Sequence, residues 1–490
     1  MPSETEKEGT GLKRQTFLGG AAVIAAGGFV AKLIGALYRI PLTNLIGGHG
    51  MGLYQMVYPF YCLLLTVSAT GIPSSVAKLT AEKRAAGASD RALLKSAFKL
   101  FLSIGAAGTL FMALFAPLLS ALQGSPELKG GYFALAPAVF FVSGISVLRG
   151  WFQGRNNMFP TAFSEVAEQV VKVGFGLLFA YLYRGDVQKA VTFILLSVSL
   201  SELFALLLML FLFRREKNPF EGLKEGGRAG MKGILRLSIP ATLASAVLPL
   251  SSLAESVIVV RLLKGYTSDA VGLYGLFSGG AATLVNLPVS VCYGIAAASV
   301  PAVSAAGAEG GDARKKVLRA LFVTLAASIP CAVGLYFLAG TAVGLVFRGL
   351  SAAEAATLTK LTRVMAVSAV TLSCTQTLSA CLTGLGMPGK AALSMGIAAA
   401  AKLALDFLLV SRPEISVYGA AIAADVCYLV AFALDLVYNL SVTKKRQGEK
   451  KSDDHGSRFG RKKRGSDRAG QAGDSRSKAG RRADGADGVV

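Results

Sequence analysis

The feature that most restricts this chain is the recurrence of apolar runs about 20 residues long, the length an α-helix needs to cross a bilayer. Twelve are read, at about 17–39, 52–73, 96–118, 132–152, 161–183, 191–213, 238–262, 271–298, 317–339, 361–383, 391–410 and 418–440. In lipid only helices and closed barrels satisfy all their backbone groups, and runs this long are helical. Composition agrees: 16% of residues are charged and 53% hydrophobic, whereas soluble domains carry about 25% charge. The expected fold class is an all-α polytopic membrane protein of about 12 transmembrane helices.

The net charge of +22 is unevenly placed. The loop 74–95 carries Lys78, Lys83, Arg84, Arg91 and Lys95, the loop 214–237 carries seven Lys/Arg, and Arg314, Lys315 and Lys316 close the loop 299–316. The alternate loops carry at most two each. Basic loops stay on the cytoplasmic side, so both termini are expected there, as an even span count requires. The N-terminus mimics a signal peptide, with Lys13 and Arg14 before an apolar core. That core has span length and a second span follows at once, so it reads as an uncleaved first helix. Residues 441–490 hold 15 Lys/Arg against 7 Asp/Glu, a net +8, with few apolar residues. This predicts a disordered cytoplasmic tail that meets an anionic membrane surface and not nucleic acid.

The loop 214–237 divides the chain into a cytoplasmic N-terminus (1–16), a six-helix lobe (17–213), a basic linker (214–237), a second six-helix lobe (238–440) and the tail (441–490). The halves resemble each other weakly. Gly52-Leu53-Tyr54 opens the second span and Gly272-Leu273-Tyr274 the eighth. FQGRNNMFPTAFSEVAEQVVKV (152–173) lies over LTGLGMPGKAALSMGIAAAAKL (382–403), matching Gly154 to Gly384 and Lys172 to Lys402 at an offset of 230. Six spans per half give a parallel repeat, which in transporters places the site between the lobes. Arg39 and Arg261 are then counterparts, and Lys32 falls opposite Glu255. Pro59, Pro137, Pro249, Pro288 and Pro330 sit inside spans, where each removes a helical hydrogen bond. Pro249 is the favoured hinge.

Charges at membrane depth cost about 2.5–3.5 kcal/mol on insertion scales and usually face a bundle interior. Lys32 lies within the first span and Arg39 at its mouth, before a turn through Pro41 and the glycines at 47, 48, 50 and 52. Seven residues are nearly two helical turns, so both project from one face. With Arg149 and Arg155 at the inner end of the fourth span and Arg261 at the outer mouth, they suit an anionic cargo, since guanidinium groups bind phosphate oxygens bidentately. The competing reading is that these cations snorkel or anchor loops. Glu168 and Lys172, and likewise Lys402 and Asp406, stand four residues apart and permit ion pairs. Glu255, Asp406 and Asp425 all lie roughly 6–10 Å below the outer surface at 1.5 Å per residue. They could gather Na⁺ or a proton, oxygen ligands suiting hard cations. Lys402 could instead neutralise Asp406 with no ion.

Catalytic and cofactor chemistry have little to use. The histidines are His49 and His455, and the six cysteines lie singly in apolar runs without a CxxC. Zinc centres, His-based triads and disulfides are not expected, and no sizeable loop offers acidic or His motifs of a membrane enzyme.

IGALYRIPLTNLIG, MGLYQMVYP and GIPSSVAKLTAE resemble the opening of the polysaccharide biosynthesis and stage V sporulation protein B family. That family is a branch of the multidrug/oligosaccharidyl-lipid/polysaccharide exporters, similar to lipid II flippases. The resemblance implies two six-helix lobes about a central cavity, alternating access, and export of polyprenyl-diphosphate-linked glycans for the cell wall or spore cortex; a structural partner of wall-synthesis proteins is a further reading. It puts Lys32 and Arg39 where lipid II flippases place cavity arginines, and Glu255, Asp406 and Asp425 in helices that form a sodium site. The sequence departs from that pattern. The second and eighth spans lack arginines, Lys402 stands where a neutral ligand is expected, and the last two of the usual fourteen helices are missing. The alternative reading is a Na⁺/H⁺-coupled multidrug antiporter of the same superfamily, which would want a carboxylate-dominated cavity in the first half.

Overall fold

In the computed structural model, residues 17–67, 71–216, 231–308 and 312–444 are described. The expectations for the N-terminus, the centre of the basic linker and the tail beyond Lys444 lie outside them. The described chain is nearly all helix: α1 (Phe17–Leu65), α2 (Gly71–Ala85), α3 (Arg91–Leu122), α4 (Leu128–Gly154), α5 (Phe159–Leu182) and α6 (Val187–Arg215) form the first half. The second half holds α7 (Met231–Lys264), α8 (Ala270–Gly275), a π-helical turn (Leu276–Ala281), α9 (Ala282–Ala308), α10 (Ala313–Phe337), α11 (Ala339–Val346), α12 (Ala352–Val364), α13 (Ala366–Gly384), α14 (Pro388–Val410) and α15 (Tyr418–Lys444). Among the described residues, nine helices are long and apolar enough to cross a membrane, or ten when the bent pair α12–α13 counts as one span. Dividing α1 at its kink and adding α5, which its three charged residues remove from that set, gives the twelve spans of two six-helix lobes.

The first lobe is built round α4. Its small residues admit close neighbours: a Cβ on Gly150 would meet the Pro73 backbone, and one on Gly154 the Ala77 carbonyl. Lipid gives no hydrophobic drive for helix association, so close approach through small residues supplies the packing. Trp151, fully buried, stacks edge-on against Phe152 and Phe213.

The expected broad turn after Arg39 is not there. α1 runs on through Pro41 and breaks only at Gly47 (φ 68°, ψ −176°), a conformation open to glycine. The polar groups round this break are satisfied from the other half. Gly48 N–H donates to Glu354 Oε1 at 3.1 Å, Asn44 Nδ2 donates to the Val346 carbonyl at 2.8 Å, and Gly349 N–H donates to Asn44 Oδ1 at 2.9 Å. Glu354 also closes a capping box with Ser351 at the start of α12. Arg39 therefore lies eight residues inside the helix end, about 12 Å at 1.5 Å per residue.

The internal repeat is visible in the backbone. Asn156 (φ 57°) and Gly386 (φ 78°) are both left-handed, at the same offset of 230, and each precedes a helix with proline in its first turn, α5 and α14. Lys172 and Lys402, at that offset, are both buried.

Candidate functional site

The long first helix is the wall between the lobes: α1 packs on α5 in its own half and on α7, α8 and α9 in the other. A cavity of about 430 Å³ lies along it, bounded by α1, α5, α9 and α13 and lined by Lys32, Arg39 and Lys172 together with Tyr38, Tyr58 and Tyr293. Among the described residues no carboxylate lines it. Lys32 and Arg39 share a helix face, as their spacing predicts. The Lys32 ammonium stands 3.5 Å over the ring of Tyr293, a cation–π contact from the first lobe to the second.

Lys172 reaches the cavity for a reason the sequence reading missed. Its expected partner, Glu168, instead accepts from Arg149 Nη2 at 3.1 Å, while Arg149 Nε donates to Ser164 Oγ at 3.0 Å. A guanidinium offers several fixed donors and holds both neighbours at once, which an ammonium four residues along the helix cannot match. Lys172, 8% exposed, forms no ion pair among the described residues. Glu202, the nearby buried carboxylate of α6, accepts from the Tyr61 hydroxyl at 3.0 Å. A lysine whose twin in the other half is also buried was the available signal.

The other expected cations are placed differently. Arg149 is tied to Glu168. Arg155 contacts the fully buried Asp90 at 3.4 Å and lies 3.8 Å over Trp151, so it fastens the turn after α4 to the start of α3. Arg261 is exposed, three residues from the end of α7, and so neither shares the depth of Arg39 nor lines the cavity.

Two further cavities adjoin the first. One, about 490 Å³ and mostly apolar, shares Lys32, Tyr293 and Gln376 with it and extends between α7, α9, α13 and α14. The other, about 370 Å³, shares Arg39 and Tyr58 and reaches Pro249, Glu255 and Lys402. α7 continues unbroken through Pro249. At this second end the three expected carboxylates do not converge. Lys402 Nζ stands 2.6 Å from Glu255 Oε1 and 3.4 Å from Asp406 Oδ2, as the four-residue spacing allows. Asp425 accepts from the Ser368 hydroxyl instead. Among the described residues no three His, Cys, Asp or Glu side chains are placed to hold a metal ion. The residues present therefore do not fit the sodium site the family resemblance implies, because a protein ammonium lies where the cation would be.

The lobes meet at the end where α1 kinks. A Cβ on Gly52 would strike the Val271 carbonyl, and one on Gly275 the backbone of Gly48 and Gly52, so here the two helices touch backbone to backbone. Gln55 Nε2 donates to the Ser278 carbonyl at 2.8 Å and Lys264 Nζ to the Gly124 carbonyl at 2.5 Å. His49 bridges both halves, 3.2 Å from Glu127 and 3.2 Å from Asp269. The His49 hydrogen bond, with the Gly272 N–H that Asp269 also accepts, holds the Asp269 carboxyl below its ordinary value against partial burial.

Two helical lobes meeting along one long helix, with a cavity between them, are the architecture of a membrane exporter. The structure resembles that of a MATE-family multidrug resistance transporter of the MOP superfamily captured facing inward (TM-score 0.73, 15% identity, covering 87% of this chain and 99% of that one). It also resembles the lipid II flippase MurJ in an inward closed conformation (TM-score 0.66, 15% identity, 87% and 91% covered). The family model for polysaccharide biosynthesis proteins matches residues 17–307, and the chain belongs to that family. Stage V sporulation protein B of Bacillus subtilis (strain 168) is 29% identical over 432 residues, 84% of this chain and 81% of the relative.

Proposed function

We propose that this protein moves a polyprenyl-diphosphate-linked oligosaccharide, a precursor of wall or spore-cortex glycan, across the cytoplasmic membrane by alternating access. The supporting observation is the central cavity lined by Lys32, Arg39 and Lys172, with no carboxylate among the described residues. Cations at this depth cost the fold, and an anionic headgroup repays that cost through charge-assisted hydrogen bonds. The tyrosines and amides around them offer donors and acceptors to sugar hydroxyls, and the prenyl chain stays in or beside lipid. The basic loops make the terminus-bearing end cytoplasmic. With the kinked end of α1 sealed, the cavity takes cargo from that side. Rocking of the lobes, driven by an ion gradient or by the membrane potential at about 2.3 kcal/mol per charge per 100 mV, would open the other.

The multidrug-antiporter reading has less behind it. Cationic drugs call for carboxylates in the cavity, and Glu168 and Glu202, the carboxylates nearest Lys172, are engaged by Arg149 and Tyr61. The test is rescue of a strain depleted of its lipid II flippase, together with a vesicle assay of precursor translocation. Failure of both while cationic dyes are exported would reverse the choice.

A further inference from the structure

We propose that the cation of the α7–α14 site is the protein's own Lys402 ammonium, held between Glu255 and Asp406, and that the site takes no sodium ion.

The geometry carries this. A lysine ammonium has three donors and no acceptor, and here it approaches carboxylates of two different helices, at 2.6 Å on α7 and 3.4 Å on α14. Asp406 is fully buried, Lys402 is 6% exposed, and Asp406 Oδ1 has no hydrogen-bond partner. That is the environment of a small cation with oxygen ligands. The position is filled by a group that cannot leave. Asp425, the third carboxylate at this depth, accepts from Ser368 and does not join the Lys402 cluster.

The consequence is mechanistic. A mobile ion would join α7 to α14 only when bound, so ion concentration could switch their contact. A tethered ammonium makes the contact permanent, and the second lobe moves as one piece whatever the sodium concentration. The inference concerns binding at one site, and it stands whether or not the cargo is the one proposed above.

The test uses the purified full-length protein in detergent, with thermal unfolding measured in NaCl, KCl and choline chloride at equal ionic strength, and with ²²Na⁺ binding. The wild type is expected to unfold at the same temperature in all three salts and to bind no ²²Na⁺ above background. In Lys402→Met the two carboxylates lose their counter-ion. NaCl is then expected to raise the unfolding temperature above that in choline chloride, and adding Asp406→Asn to remove the difference. Lys402→Arg keeps a tethered cation and is expected to stay indifferent to sodium. Sodium stabilisation of the wild type that Asp406→Asn abolishes would overturn the proposal, and so would a folded Lys402→Met that ignores sodium. Should Lys402→Met fail to fold, the wild type and Lys402→Arg decide it: sodium binding by either refutes it, and indifference of both supports it.

Discussion

Replacing Lys172 by methionine should separate transport from stability. The side chain keeps roughly its length and loses its charge, at a position 8% exposed with no ion pair among the described residues. A hydrogen bond to a charged group contributes about 1.5–3 kcal/mol. At about 1.4 kcal/mol per decade, losing one such bond to a phosphate weakens cargo binding roughly 10- to 150-fold. Burial puts Lys172 toward the top of that range. Lys32, exposed and engaged with Tyr293, belongs toward the bottom. The fold should not suffer, because Glu168 is held by Arg149 and Glu202 by Tyr61, and a buried charge without a partner costs free energy. The expected result is a loss of precursor binding and vesicle translocation of about that size, with an unfolding temperature unchanged or raised. Arg261→Ala, outside the cavity, serves as the comparison and should stay near wild type. A Lys172→Met protein that unfolds several degrees lower yet transports normally would show that the lysine is structural, and the cavity argument would fail.

Further outcomes follow from the packing. Asp90→Asn leaves Arg155 without its carboxylate in a buried place and should cost about 3–5 kcal/mol, read as a fall in unfolding temperature. A small or absent fall would mean that the Asp90 pair does not hold the turn. Gly52→Val puts a side chain on the Val271 carbonyl and should destabilise the sealed end by about 1–3 kcal/mol, increasing labelling of an engineered cysteine at that end. Unchanged labelling counts against a seal there. Asp269 has its folded pKa depressed by His49, so its contribution is present above the ordinary carboxylate range and lost as pH falls through the depressed value. The bridge is half exposed, so about 0.2–1 kcal/mol is expected from it, and asparagine caps a helix about as well as aspartate, so the cap on α8 is kept. Asp269→Asn should therefore unfold earlier than wild type at neutral pH, and the gap should narrow in acid. A gap that persists once the pH lies below the depressed value contradicts the assignment.

The order of the spans, the division into two halves and the repeat at offset 230 were legible because bilayer thickness fixes run length and loops interrupt the runs. Gly47 was harder to single out. Five candidate turn residues lie between Pro41 and Gly52, and what decides among them is the docking of Asn44 and Gly48 onto residues some 300 positions away. Side-chain partnership failed for the same reason. Spacing along one helix proposes Glu168 with Lys172 and Asp406 with Lys402, but it is blind to Arg149 and Glu255 arriving from other helices. The first pair dissolves and the second gains a member. Depth along a helix likewise grouped Asp425 with Glu255 and Asp406 without saying which way each one points.

The twin lysines show how little separates a receptive half of such a protein from an inert one. Lys172 and Lys402 match at an offset of 230, yet Lys172 faces the cavity with Lys32 and Arg39 while Lys402 is clasped by Glu255 and Asp406. An ammonium with no ion pair among the described residues is open to a guest, while one held by two carboxylates is not.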